Sequence, residues 1–180
     1  MRIIAGQWRG RPITAPPGDA TRPTADRVRE AVFSMLASRL GSFDELRVAD
    51  LFAGSGALGL EALSRGAAHC TFVERDREAR RALEQNIAVL NASADIQSRA
   101  VENIAALSNP CDLIFMDPPY GKALTGKILH LLTERNWIAP GCWISVETER
   151  DAAVDGEDLA VDTVRTFGKA QITLFRAATR

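Results

Sequence analysis

Asp117-Pro118-Pro119-Tyr120 closes a strand-like run, 111–116, apolar but for Asp112, and can do chemistry on a flat amine. An exocyclic amine on a base, or a carboxamide, is a poor nucleophile because its lone pair is delocalised. A fixed carboxylate and a neighbouring backbone carbonyl can each accept one of its N–H groups. That favours the pyramidal nitrogen, whose lone pair can attack a methyl carbon. Prolines stiffen both acceptors, so little reorganisation is needed. Tyr120 offers a face on which a base turned out of its helix can stack. The plainer reading of the same four residues is a Pro-Pro turn with a tyrosine packed over it.

A second set lies upstream. Gly54-x-Gly56-x-x-Gly59 follows an apolar strand pattern and opens an apolar helix pattern, and Glu74 stands twenty positions after Gly54. This is the arrangement of a nucleotide-binding βαβ unit: a tight turn, close backbone approach to a ligand, and a carboxylate for ribose hydroxyls. The glycines alone fit a dinucleotide site nearly as well, and Glu74 serves either ligand. Asp50, four residues before Gly54, separates the two. A carboxylate there repels a pyrophosphate and attracts an ammonium group. S-adenosylmethionine carries an ammonium and a sulfonium and no phosphate.

The elements that must hold these residues alternate along the chain. Strand patterns at 47–52, 69–74, 95–99, 111–117 and 142–148 are separated by helix patterns at 57–65, 76–90, 101–107 and 122–134, with Asp76 as a cap. Such alternation predicts an α/β fold, a parallel sheet with helices on both faces. Segments 160–167 and 170–177 around Gly168-Lys169 predict a terminal antiparallel hairpin. Asp50, Glu74 and Asp117 then all sit at strand C-termini, where open sheets of this kind bind ligands. Before the first strand, a helix is expected from Asp26 to Gly41, with Val28, Val32, Met35 and Leu36 on its apolar stripe and Arg27, Arg29 and Arg39 off it. Residues 2–6 and 11–15 are expected to pair as a small hairpin, with Trp8 near its bend. The division expected is an arm at 1–25 and one larger domain at 26–180.

Composition supports a buried core, with 46% hydrophobic residues in 180. There is no membrane-length apolar run and no secretory signal pattern at the start, so a cytoplasmic protein is expected. Cys70, Cys111 and Cys142 are odd in number and widely spaced, which reads as reduced core thiols with no metal site. Charge is uneven. Residues 1–40 carry Arg2, Arg9, Arg11, Arg22, Arg27, Arg29 and Arg39 against Asp19, Asp26 and Glu30, a net of +4, and the rest of the chain carries −5. An all-arginine arm on an acidic body suits a polyanionic partner, since guanidinium groups fork onto phosphates and stack on bases. An unevenly charged solvated surface is the alternative.

Residues 50–67 (DLFAGSGALGLEALSRGA), Glu74 and Asp117 to Tyr120 resemble the class I S-adenosylmethionine-dependent methyltransferases that act on amino groups. Residues 2–11 (RIIAGQWRGR) and 22–30 (RPTADRVRE) resemble the RsmD family, bacterial methyltransferases of guanine N2 in small-subunit (16S) ribosomal RNA. The likeness runs from residue 2 to about 147. It implies a Rossmann-like, seven-stranded mixed sheet with an N-terminal appendage. It also implies that Asp50, Phe52, Gly54 and Gly56 meet the amino acid part of the cofactor, and Glu74, with Arg75 beside it, the ribose. Arg22 and Thr24 help to close the site. Asp117, Pro118, Pro119 and Tyr120 hold the target amine. The adenine falls to the segment Ala100-Val101-Glu102, with Val101 and Glu102 as its candidate contacts. Arg2, Trp8, Arg9, Arg11, Arg27 and Arg29 are the residues expected to meet RNA. The expected partner is 16S RNA in a small-subunit or assembly particle, and the expected state is a monomer.

Other readings stay open on the residues themselves. These are an amino methyltransferase of adenine N6 or cytosine N4 in DNA, one of a protein glutamine, a nucleotide-dependent dehydrogenase, and a non-catalytic RNA-binding protein. A DNA enzyme that reads sequence usually needs an added recognition domain, for which 180 residues leave little room. A glutamine target requires no basic arm.

Overall fold

Central strands of a parallel sheet are buried on both faces, so they read as continuous apolar runs. The computed structural model, which describes residues 1–18, 23–119, 122–156 and 158–180, follows that rule. Seven strands form one sheet in the order β3-β2-β1-β4-β5-β7-β6. They are β1 Arg47–Leu51, β2 His69–Val73, β3 Ala94–Gln97, β4 Cys111–Met116, β5 Ile138–Glu149, β6 Ala160–Phe167 and β7 Ala170–Arg176. The β3-β2-β1-β4-β5 pairs are parallel, whereas β7 runs antiparallel to both β5 and β6. The order leaves β1 in one direction towards β2 and resumes at β4 in the other. This reversal opens a crevice at the C-terminal ends of β1 and β4.

Among the described residues four helices cover the sheet: α1 Pro23–Leu40, α2 Ala57–Ser64, α3 Arg77–Leu90 and α4 Lys122–Glu134. Strand alternation splits the core in two. Val48, Phe72, Leu113, Phe115 and Leu174 face α1 and α2 through Phe33, Leu36, Leu60 and Leu63. Ala49, Val73, Ile114, Met116 and Val146 face α4 through Ile128, Leu129 and Leu132. Asp76 caps α3 as expected, accepting from the Ala79 N–H at 2.8 Å. All three cysteines are buried and free. Among the described residues no helix is long and apolar enough to cross a membrane.

Four boundaries differ from expectation. Helix α1 starts at Pro23, three residues before Asp26, because proline at a first helical position loses no hydrogen bond. The helix expected at 101–107 is one 3₁₀ turn, Val101–Asn103. Ile104 is extended, and the carbonyls of Ala105 and Leu107 are taken by the Trp137 indole N–H and the Asn136 amide, both at 2.8 Å. Strand β5 begins at Ile138, ahead of Pro140-Gly141, which its pairing with β4 absorbs as an irregularity between Cys111 and Leu113. The N-terminal hairpin forms with a single ladder bridge, Arg2 to Pro12, since Pro12 has no N–H to extend it. The Ile3 N–H to Arg11 and Gly10 N–H to Ile3 bonds hold the two sides together.

The arm is fastened to α2 by a buried carboxylate. Glu61 is 0% exposed and accepts from the Ile4 N–H at 2.7 Å, the Ala5 N–H at 2.9 Å and Arg65 Nε at 2.9 Å. Ile3 and Ile13 enter the α1-side core behind it. Glu61→Ala leaves two backbone donors and a guanidinium without their acceptor. We expect it to cost about 3 kcal/mol in urea unfolding, with Glu61→Gln recovering part of the loss.

Candidate active site

The turn after β1 is built for close approach. Phe52, Gly54 and Gly56 have φ of 60°, 56° and 81°. A Cβ on Gly54 would meet nothing within 4 Å, so left-handed backbone and open space coincide there. Gly59 serves the other need. A Cβ there would lie 2.4 Å from Phe72 Cε1 and 2.6 Å from Cys70 Sγ, so only glycine lets α2 settle this close to β2. That packing aims the Gly59 N–H at the Asp50 carboxylate, 2.9 Å away. Glu74 is held at both oxygens, one accepting from the Gly54 N–H at 2.9 Å and the other from the Asp76 N–H at 2.8 Å. Its remaining lone pairs are free to accept hydroxyl donors.

Two cavities meet at Phe52 and Asp117. The larger, about 560 Å³, is lined by Arg29, Asp50, Phe52, Gly54, Asp117 and Glu147 among others. The second, about 410 Å³, is lined by Phe52, Glu74, Arg75, Val101, Glu102 and Asp117, with Pro119 at its edge. So the crevice gathers Asp50, Phe52, Gly54, Glu74, Arg75, Val101, Glu102, Asp117 and Pro119 from four separate stretches of chain. Gly56 and Pro118 shape the turns without lining either cavity. Arg22 and Tyr120 lie outside the described residues, as does the side chain of Thr24.

Burial sets the electrostatics. The Asp50 carboxyl is pushed up to about 8 by loss of solvent, against the Gly59 hydrogen bond, with Asp117 and Glu74 adding repulsion. Protein atoms crowding its carboxyl push Asp117 the same way, to about 6, although the residue as a whole is exposed at the crevice mouth. Burial first, and then Asp117, take Glu147 to about 7. A crevice crowded with carboxylates that resist ionisation attracts a cation and repels a phosphate.

Among the arginines, Arg2, Arg9, Arg11 and Arg27 are exposed. Trp8 is half-buried against the α1-side core, so it anchors the arm. Arg29 departs from the expected surface position. It is 5% exposed and its Nη2 donates to the Arg2 carbonyl at 2.6 Å and to Asp26 at 3.2 Å. Its Nε and Nη1 find no partner among the described residues. Burial lowers its pKa, with Glu61 and Asp26 opposing the shift. One of the arginines within residues 1–40 thus belongs to the cavity wall and cannot meet an RNA phosphate from there. Sequence reasoning also missed Ser145 and Glu147. Their signal was present: two polar residues at alternate positions of an otherwise apolar strand pattern point to one face.

This sheet order, with a glycine turn after β1 and acidic residues ending β1, β2 and β4, defines a class I methyltransferase fold. Magnesium protoporphyrin IX methyltransferase from Synechocystis, solved with bound S-adenosylmethionine, shares the fold at 14% identity and a TM-score of 0.67, covering 89% of this chain and 87% of its own. Much nearer is the solved Escherichia coli protein yhhF, at 36% identity and a TM-score of 0.88 over 100% of this chain and 99% of that one. Ribosomal RNA small subunit methyltransferase D of Escherichia coli K12 is 42% identical over 151 residues, 83% of this chain and 75% of its own length. The Haemophilus influenzae protein of the same name is 39% identical over 157 residues, 84% and 80%. A family model described as Conserved hypothetical protein 95 matches residues 1–176. The chain belongs to this family, the RsmD family of methyltransferases.

Proposed function

We propose that the chain methylates the N2 amine of a guanine in 16S ribosomal RNA, with S-adenosylmethionine as donor. The observation that carries this is the convergence of Asp50, Glu74 and Asp117 on two cavities joined at Phe52 and Asp117. The names of the relatives support ribosomal RNA of the small subunit as the substrate.

The residues present fit the donor. Asp50 is an acceptor for its ammonium, and the unpaired Nε and Nη1 of Arg29, in the wall of the same cavity, suit its carboxylate. Glu74 accepts from the ribose hydroxyls, and Arg75, Val101 and Glu102 border the space beyond it for the adenine. When bound, S-adenosylmethionine supplies a methyl carbon on a sulfonium, whose bond pair stays with sulfur as a neutral thioether. Asp117 accepts an N–H of the target amine and so localises the nitrogen lone pair. After transfer the nitrogen sheds one proton, which Asp117 can hold or water can take. Phe52 and Asp117 line both cavities, so the methyl group and the target amine meet where the two join.

We infer that residues 1–25 act as an RNA-holding arm, that the substrate is a small-subunit or assembly particle, and that the chain works as a monomer in the cytoplasm. The exposure of Arg9 and Arg11 supports a role for both at RNA phosphates. Replacing both with alanine is expected to weaken RNA binding and to lower the salt slope, log K against log [salt], by about 1.4 to 1.8. Binding across a salt series measures this, and an unchanged slope moves the RNA to another surface. The function itself is tested by mass spectrometry of nucleosides from 16S RNA of a strain lacking this protein. Loss of one N2-methylguanosine is expected, and unchanged N2-methylguanosine, or a loss confined to methyladenosine or methylcytidine, overturns the reading.

A further inference from the structure

The crevice holds one carboxylate more than methyl transfer to an amine requires. Asp117 and Glu147 each lie one residue beyond the Met116–Val146 pair of the parallel β4–β5 ladder. Alternation puts both on the sheet face that carries Phe115 and Ser145, and both line the larger cavity together with buried Ser145. Adjacent strands stand about 4.8 Å apart, close enough for two such side chains to address one edge of a flat base.

The three bases that carry an exocyclic amine differ beside it. In guanine the ring nitrogen next to the amine bears a hydrogen, so N1–H and the N2 amine form a row of donors. In adenine and cytosine the neighbouring ring nitrogen is a bare acceptor. A second carboxylate next to Asp117 therefore matches guanine and opposes the other two, lone pair against lone pair. Resting on the guanine reading above, we propose that Glu147 is the specificity-determining residue: its carboxylate accepts the ring N1–H while Asp117 accepts from the N2 amine. The repulsion that Asp117 exerts on Glu147 in the empty crevice is what a shared donor edge relieves.

The test compares RNA oligonucleotides that carry guanine or 2-aminopurine at the methylated position. The two bases share the N2 amine, and only guanine has N1–H. Wild-type protein is expected to favour guanine in kcat/KM by about a hundredfold or more. Glu147→Gln, whose amide can also donate, is expected to lose about tenfold to a hundredfold on guanine and to gain on 2-aminopurine, so that the preference collapses. Equal loss on both bases in Glu147→Gln shows a merely structural role and overturns the proposal. Equal use of both bases by wild-type protein overturns it without any variant, should Glu147→Gln fail to fold. If wild-type protein leaves guanine N2 unmethylated, the functional reading falls and takes this inference with it. A methylated guanine with no discrimination sinks the inference alone.

Discussion

Asp117→Ala is expected to lower methyl transfer by about two to three orders of magnitude while cofactor binding survives. The split follows from where the side chain stands. Asp117 ends β4 at the junction of the two cavities, where a target amine can reach it. In the proposed arrangement the cofactor's ammonium falls to Asp50 instead. Its removal also withdraws a negative charge that raises the Asp50 pKa, so affinity for S-adenosylhomocysteine at neutral pH should rise slightly. Single-turnover methylation with saturating donor, beside calorimetric binding of S-adenosylhomocysteine, measures both quantities. Turnover like that of the wild type removes Asp117 from the chemistry. Equal loss of both makes it a structural residue of the β4 end.

Asp50→Asn should do the reverse. The asparagine keeps an acceptor for the Gly59 N–H and loses the charge that holds an ammonium. Affinity for S-adenosylhomocysteine is expected to fall by about tenfold to a hundredfold, the range for a lost charge-assisted hydrogen bond. Stability of the free protein at pH 8 should rise at the same time. The sign follows from linkage. Asp50 titrates at about 8 in the fold and near 3.8 when unfolded. A carboxyl whose pKa is raised by folding contributes its stability in full below the lower value and loses it as pH climbs through the upper one. Between pH 4 and pH 8 the free wild-type protein therefore pays an increasing penalty that Asp50→Asn escapes. An ammonium ligand needs the ionised carboxylate, so wild-type binding should strengthen by up to about tenfold per pH unit below 8 and release a proton. Calorimetry in two buffers of different ionisation heat counts that proton. A count unchanged in Asp50→Asn assigns the proton to another group, with Glu147 and Asp117 the neighbours that share the cavity.

These two variants also separate what residue order specifies from what folding adds. Local chemistry made the glycine turn, the acidic strand ends and the proline stop after Met116 legible, because each is a property of a few adjacent residues. Periodicity gave the alternation of strands and helices, since apolar repeats of two and of 3.6 are written in the order of residues. The short 3₁₀ turn at Val101–Asn103 was not legible, because the extended segment after it is held by Trp137 and Asn136, some thirty residues on, which donate to the carbonyls of Ala105 and Leu107. Arg29 precedes buried Val32, Phe33 and Leu36 at helical spacing, so its inward turn was legible in the period, while the cavity that it lines was not. Glu147 joined the site only when β5 paired with β4 and carried it beside Asp117. Residue types and their near neighbours thus determine which groups can react. Pairing between distant strands decides which of them share a cavity, and burial in that cavity shifts Asp50, Asp117 and Glu147 from ordinary carboxylates into groups that call for a cation or an N–H donor.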